Sequence, residues 1–389
     1  MKVFYYCQHV LGIGHLQRSL TVCQAIAQEN ETTLILGGPA TAFPPPADIR
    51  VLQLPGLKMD NNFQNLQPCE EQDSLEVVKK TRSDLLFSCF QQEQPDVFIT
   101  ELYPFGRKAF GFELDPLLAG IKDGKLKRCL CLSSVRDILV EKQTDLEKFE
   151  KRVVHILNSY FDGILVHSDS QVIKLNETFS RMNEIVPPLH YTGFVTSEKC
   201  GGLSGSIREH IGITPQDTLI VVSIGGGNVG SELLLASIEA ARLLHTEDSF
   251  YFQIFCGPFC DPVIYNSLKK IETKHIRVNR FSNRFQLWLS AADLSISMAG
   301  YNTCMNLLSS GVPSIVYPFQ QNREQRLRAE RLASIAPIMV LKNQPTAETL
   351  AEKIRIQLRL ARKPVIVRAD GAAESARQIS LWYTTLLKK

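Results

Sequence analysis

Short, strongly apolar runs alternate with longer stretches whose apolar residues recur every three or four positions, from one end of the chain to the other. A continuous apolar run bounded by turn residues marks a strand buried on both faces, and a stripe at helical spacing marks a helix that covers it. The first half offers strands at Val3–Cys7, Thr33–Leu36, Val51–Leu54, Val97–Thr100, Arg128–Leu132, Gly163–His167 and His190–Gly193. The second half offers Leu219–Ile224, Phe250–Cys256, Ile276–Asn279, Leu294–Ser297, Ser314–Tyr317 and Ile338–Leu341. The pattern predicts an α/β protein with parallel sheets covered by helices on both faces.

At 389 residues the chain is longer than one hydrophobic core usually grows, so two domains are expected. The stretch 196–206, TSEKCGGLSGS, is rich in glycine and serine and reads as the linker between them. The expected division is 1–196 for the first domain and 197–369 for the second. From 370 to 389 a terminal helix is expected, with Ala372, Ala376, Ile379, Tyr383 and Leu386 as its apolar stripe and Asp370 as its cap. A second polar stretch, 56–74, is long enough for a functional or mobile loop.

Composition narrows the class only a little. The net charge of +3, with both signs interspersed, offers no basic arm, and no nucleic-acid partner is expected. No apolar run approaches the roughly 20 residues of a membrane-spanning helix, and the start reads as a buried strand rather than a secretory signal. The ten cysteines, among them Cys129, Cys131, Cys256 and Cys260, show no ligand-like framework, so reduced thiols in a cytoplasmic protein are expected and no metal site.

Candidate chemistry collects after strands. The turn Gly225-Gly226-Gly227-Asn228 follows one strand and precedes a Leu- and Ala-rich helix, an arrangement that lets backbone amides and a helix amino terminus approach phosphate oxygens. Gly12-Ile13-Gly14-His15 repeats it at the first strand, and a histidine at a helix start can take a proton from an alcohol. Glu101 and the pair Arg136-Asp137 end two further strands; either carboxylate is a candidate base or an orienting partner for His15. His167-Ser168-Asp169 follows another strand, with Asp169 reading equally as a helix cap.

The densest segment is 292–332. There a strand runs into Gly300, the residues Tyr301, Asn302 and Thr303 open a helix, and the next strand empties into a polar run that includes Glu324 and Gln325. Ligands of open α/β sheets lie beyond the carboxyl ends of parallel strands, where these groups gather. No Asp-x-Asp occurs in the chain, so a departing diphosphate would be stabilised by helix termini and by basic side chains such as Arg284, Arg323 or Arg326 rather than by a metal ion.

These pieces together resemble the glycosyltransferase-B superfamily, and within it family 28-like enzymes such as the peptidoglycan N-acetylglucosaminyltransferase and related bacterial predicted glycosyltransferases. The resemblance rests on the Gly12-x-Gly14-His15 turn, SSVRDIL at 133–139, DGILVHSD at 162–169, HYTGFV at 190–195, the Gly225 turn, AGYNT at 299–303 and REQRLRAERL at 323–332. It implies two facing Rossmann-like doubly wound domains, with the acceptor held mainly by the first, the nucleotide sugar mainly by the second, and the terminal helix crossing back onto the first. By position, Gly225–Asn228 would hold the diphosphate, backbone near Phe281 and Ser282 the base, Tyr301–Thr303 the phosphate and ribose, and Glu324 and Gln325 the sugar hydroxyls. Gly12, Gly14 and Arg136 would lie on the acceptor side. Where relatives usually carry a ribose-binding glutamate this chain has Asn306, which lacks the charge that strengthens a ribose hydrogen bond.

The expected activity is metal-independent, inverting transfer of a sugar from a UDP-sugar or other nucleotide sugar to an acceptor hydroxyl or amine. His15, Glu101 or Asp137 would serve as base, with no cofactor beyond the co-substrate. A nucleotide-sugar 2-epimerase and a noncatalytic nucleotide-sugar-binding protein are the alternatives. The acceptor is not readable, and a lipid acceptor would bring peripheral membrane contact.

Overall fold

The computed structural model describes residues 1–8, 13–39, 45–59, 65–70, 74–139, 145–196, 204–244, 250–321, 323–363, 365 and 367–387. The chain divides into two compact units, Met1–Val195 with Val367–Lys389, and Thr196–Ile366.

The first unit begins with β1 (Lys2–Cys7), α1 (Ile13–Ala27), β2 (Glu31–Leu36), β3 (Arg50–Gln53), β4 (Leu57–Met59), β5 (Leu66–Pro68) and α2 (Leu75–Glu93). It continues with β6 (Val97–Glu101), α3 (Gly111–Lys122), β7 (Leu130–Arg136), α4 (Leu146–Tyr160), β8 (Gly163–His167) and β9 (Leu189–Tyr191). Seven strands form one parallel sheet in the order β3-β2-β1-β6-β7-β8-β9. The chain winds outward from β1 to β3, then returns to β6 and winds the other way. The carboxyl ends of β1 and β6 therefore flank the point where the strand order reverses, the usual ligand crevice of such sheets.

Two apolar layers sandwich this sheet. Phe4, Phe90 and Phe98 meet edge to face on one side, with ring centroids 5.3 and 4.9 Å apart. On the other side Val3, Tyr5, Leu16, Cys23 and Ile26 pack with Ile379 and Trp382. A fully buried ion pair, Arg82 Nη2 to Glu113 Oε1 at 2.6 Å, braces the first face, and Arg82 also donates to the Pro55 carbonyl at 2.7 Å.

The second unit contains α5 (Ser204–Ile211), β10 (Thr218–Ser223), α6 (Ser231–Leu244), β11 (Phe250–Phe255), α7 (Pro262–Lys270), β12 (Ile276–Asn279) and α8 (Phe285–Ala291). It ends with β13 (Leu294–Met298), α9 (Tyr301–Ser310), β14 (Ser314–Tyr317), α10 (Arg323–Ala333), β15 (Ile338–Val340) and α11 (Ala347–Gln357). Its six strands are parallel in the order β12-β11-β10-β13-β14-β15, so its reversal lies between β10 and β13. The last helix, α12 (Gly371–Trp382), belongs to the first unit, where it lies against α1. Trp382 packs so closely on Gly163 that a Cβ there would sit 2.7 Å from the indole.

Several expectations are corrected. The returning stretch starts at Val367 rather than at Asp370, because the Arg368 amide donates to Asp169 Oδ2 at 3.0 Å and its carbonyl accepts the Phe194 amide. Asp370 stands at the N-cap position of α12 without a side-chain cap; its backbone bridges Val195. β7 runs on to Arg136, past the expected end at Leu132. The polar stretch 56–74 contains the antiparallel hairpin β4-β5, while its residues 60–64 and 71–73 lie outside the described ones, as does 197–203 of the linker. Among the described residues no helix is long and apolar enough to cross a membrane, and the described cysteines are free thiols.

Candidate functional site

In the first unit α1 starts six residues after β1 ends, and His15 occupies its first turn; Glu101 is the last residue of the neighbouring strand β6. The two meet at the reversal point, His15 Nδ1 lying 2.6 Å from Glu101 Oε1. Arg18, one helical turn beyond His15, reaches the same oxygen, and Arg107 Nε stands 4.0 Å from Glu101 Oε2.

Burial alone would raise the Glu101 pKa. His15, Arg18 and Arg107 outweigh it and hold the carboxyl well below its usual range. An ionised carboxylate only accepts, so His15 Nδ1 must carry the proton and donate it, which leaves Nε2 with its lone pair. Arg18 Nη2 also lies 3.3 Å from Nδ1, but a donor gains nothing from a protonated nitrogen, and the two share Oε1 as acceptor. Burial pushes His15 down to about 4 against the pull of Glu101, and the charge of Arg107 adds to the depression. The ring remains 20% exposed, so this cluster presents a neutral imidazole, fixed in one tautomer, at an accessible edge.

The other candidates of this unit divide. Asp137, fully buried just beyond β7, accepts the Ile138 amide at 2.8 Å. Arg136 donates to the Ile138 carbonyl at 3.2 Å. The carboxylate bonded to His15 is that of Glu101. Gly14 is the second residue of α1; Gly12 lies outside the described residues. His167 is fully buried, bonded through Nε2 to Ser134 Oγ at 2.7 Å and through Nδ1 to Thr192 Oγ1 at 3.0 Å, and burial pushes it down to about 3. Asp169 caps no helix; it accepts the Gln171 and Arg368 amides, which pins the returning segment.

In the second unit the candidates sit at the carboxyl ends of four strands of one sheet: Gly225–Asn228 after β10, Phe281 and Ser282 after β12, Gly300–Thr303 after β13, and Glu324 and Gln325 beyond β14. Gly225 and Gly227 both have left-handed backbones, φ 70° and 97°. A Cβ on Gly227 would fall 2.6 Å from the Cys260 amide nitrogen, whereas one on Gly226 would meet only Phe259 at 3.8 Å. The steric demand of the turn therefore lies on Gly227 rather than on its middle residue. Beside the turn is a cleft of about 350 Å³ lined by Ile224, Gly227, Asn228, Phe259, Cys260 and Asp261.

Gly300 is the N-cap of α9 and makes no side-chain cap, and a Cβ added to it would meet nothing within 4 Å. Tyr301, Asn302 and Thr303 form the first turn of α9, where the positive end of the helix dipole is suited to an anion. Asn306 is half-buried on the same helix, and its carbonyl accepts from Gln286 Nε2 at 3.4 Å. Ser282 Oγ accepts the Arg284 amide at 3.1 Å, shaping the turn after β12.

Glu324 and Gln325 have partners inside the unit. Glu324, 3% exposed, receives Arg328 Nη2 at 2.6 Å, and Gln325 Oε1 accepts the Phe319 amide at 3.0 Å. Arg328 also donates to the Ala299 carbonyl at 3.3 Å and lies over the Tyr301 ring, so it ties α10 to the start of α9. Of the arginines the sequence singled out, Arg326 is exposed and paired with Glu330 at 2.9 Å, and Arg284 is exposed. Arg18 and Arg328 were legible as helical neighbours of His15 and Glu324, at i+3 and i+4. Arg107 had no such signal.

Residues 221–377 match the glycosyltransferase family 28 C-terminal domain. That span runs from β10 through α11 into α12. A curated relative from Aquifex aeolicus, UDP-N-acetylglucosamine--N-acetylmuramyl-(pentapeptide) pyrophosphoryl-undecaprenol N-acetylglucosamine transferase, is 30% identical over 140 residues, 36% of this chain and 39% of the relative. An uncharacterized glycosyltransferase from Methanosarcina acetivorans is 23% identical over 232 residues, 56% of this chain and 58% of the relative. The aligned stretches thus span less than two thirds of either relative. Among solved structures, the glycotransferase of kitacinnamycin matches with a TM-score of 0.60 at 13% identity, covering 99% of each chain. MurG of Acinetobacter baumannii matches with a TM-score of 0.55 at 15% identity, covering 100% of this chain and 99% of that one. At such identities the likeness is one of fold, and the fold is that of the GT-B glycosyltransferases.

Proposed function

We propose that the chain is an inverting, metal-independent glycosyltransferase that takes a sugar from a nucleotide-sugar donor, UDP-linked by preference, and passes it to an acceptor hydroxyl or amine. The observation that carries this reading is the His15–Glu101 pair, a neutral imidazole with its tautomer set by a buried carboxylate, at the strand-order reversal of the first unit. In the proposed step the acceptor oxygen or nitrogen attacks the anomeric carbon as the bond to the diphosphate oxygen breaks, and His15 Nε2 takes the acceptor's proton. Base catalysis of this kind contributes about 10²- to 10⁴-fold.

The second unit would carry the donor. The Gly225–Asn228 turn and the start of α9 follow neighbouring strands of the sheet and would together stabilise the departing diphosphate without a cation. The family 28 domain match over this unit supports a nucleotide-sugar donor, and the Aquifex relative is named for UDP-N-acetylglucosamine.

The test is a thermal-shift panel of UDP, TDP and GDP with their common sugars, followed by assay of nucleotide release in the presence of a chelator. A true donor raises the melting temperature by mass action, and UDP release that survives chelation fits the proposal. Exchange at the sugar C2 without transfer would replace it with epimerisation, and binding without turnover would replace it with a noncatalytic role.

A further inference from the structure

The loop after β6 carries a feature that the proposed step does not use. Leu102 and Arg107, at its two ends, both have left-handed backbones, φ 65° and 56°. That conformation costs a non-glycine residue on the order of 1 kcal/mol or more and persists where the surroundings hold a side chain in place. The side chain held here is that of Arg107. It is 6% exposed, and its Nε and Nη2 are buried without a hydrogen-bond partner. The carboxylate oxygen beside it, Glu101 Oε2, stands at 4.0 Å, beyond hydrogen-bond reach, and also has no hydrogen-bond partner. The other oxygen of Glu101 already serves His15 and Arg18.

Buried N–H groups of a guanidinium left without acceptors are expensive, and Glu101 Oε2, 4.0 Å from Nε, is too far to satisfy them. The guanidinium is a planar fork whose parallel N–H groups match the oxygens of a carboxylate or a phosphate. We infer that Arg107 recognises an oxyanion, a phosphate or carboxylate group, carried by the acceptor bound in the first unit. The inference rests on the reading of that unit as the acceptor side. It makes the acceptor an anionic molecule, anchored in the same side-chain cluster that holds the proton-accepting imidazole.

Hydrogen–deuterium exchange on the full chain tests it, with inorganic phosphate, pyrophosphate and acetate as separate probes. The expected result is anion-dependent protection of residues 97–110, weakened about tenfold or more in Arg107→Gln. Arg107→Lys keeps the charge but loses the fork, so intermediate weakening is expected there. Preference for pyrophosphate or phosphate over acetate identifies a phosphorylated acceptor, and the reverse a carboxylated one. Absence of protection at 97–110 in the wild type, or equal protection in Arg107→Lys and wild type, overturns the inference; both hold even if Arg107→Gln fails to fold. UDP protection is read separately at 223–232, so a failure of the donor reading and a failure of the Arg107 inference are distinguishable.

Discussion

At the end of β1 the first unit brings a histidine, a glutamate and two arginines within reach of one another; at the end of β10 the second unit places a run of glycines and open space. The sheets are wound alike, and in each some of the candidate groups, His15 with Glu101 and the Gly225 turn with the start of α9, sit where the strand order reverses. The chemistry differs because one crevice is furnished with side chains and the other with backbone. Side chains whose pKa values are shifted by burial and neighbours suit proton transfer. Backbone amides at turns and helix starts hold a diphosphate without titrating. On the proposed function, a single architecture, used twice, would separate the handling of a proton from the handling of a leaving group.

The sharpest way to break that contrast is to disable each crevice alone. His15→Ala is expected to lower sugar transfer by about 10²- to 10⁴-fold while leaving UDP affinity, measured by calorimetry, unchanged. Equal loss of both would show that the two crevices do not divide the work. Gly227→Ala is expected to do the reverse and weaken UDP binding by about 10- to 100-fold, since its Cβ would strike the backbone at Cys260. Gly226→Ala, with only Phe259 at 3.8 Å, should bind UDP nearly as the wild type does. If the two alanine variants behave alike, the turn is not shaped as described.

The smallest expected effect is on stability. His15 has its pKa lowered from 6.5 to about 4 in the folded chain, so below 6.5 the unfolded chain takes up the proton first. Its contribution is therefore full above that pH and is lost as pH falls toward 4, by about 2 kcal/mol between pH 6.5 and 5. Glu101, held below its ordinary 4.5, adds a loss that begins only at lower pH. Urea unfolding of wild type and His15→Gln at pH 7 and pH 5 isolates the histidine part; parallel losses in the two proteins would contradict the low pKa.

Much of the fold was legible because its central strands are buried on both faces and read as unbroken apolar runs; each expected strand, the more exposed β3, β9 and β12 included, has a counterpart in one of the two parallel sheets. β7 was read too short because Ser133 and Ser134 look like the end of a strand, yet both are buried, bonded to the Tyr103 carbonyl at 2.7 Å and the Tyr5 hydroxyl at 2.8 Å. The hairpin β4-β5 has three-residue strands, too short to display a period. In the candidate site, Glu101 and Asp137 could both be named as partners for His15 but not told apart, since His15 and Glu101 are 86 residues apart and meet only through the pairing of β1 with β6. The weight on Gly227 rather than Gly226 comes from contact with Cys256 and Cys260, and the aim of Arg107 comes from a loop conformation, neither of which leaves a periodic trace.

The central claim is that His15 is a neutral base whose tautomer Glu101 fixes. Nitrogen-15 NMR of the histidine rings in the full chain, titrated with acid and assigned with His15→Gln, measures this directly. The predicted result is a proton on Nδ1 and a bare Nε2 that persists until the pH nears 4. A ring that protonates near 6.5, or one that carries its neutral proton on Nε2, would contradict the account.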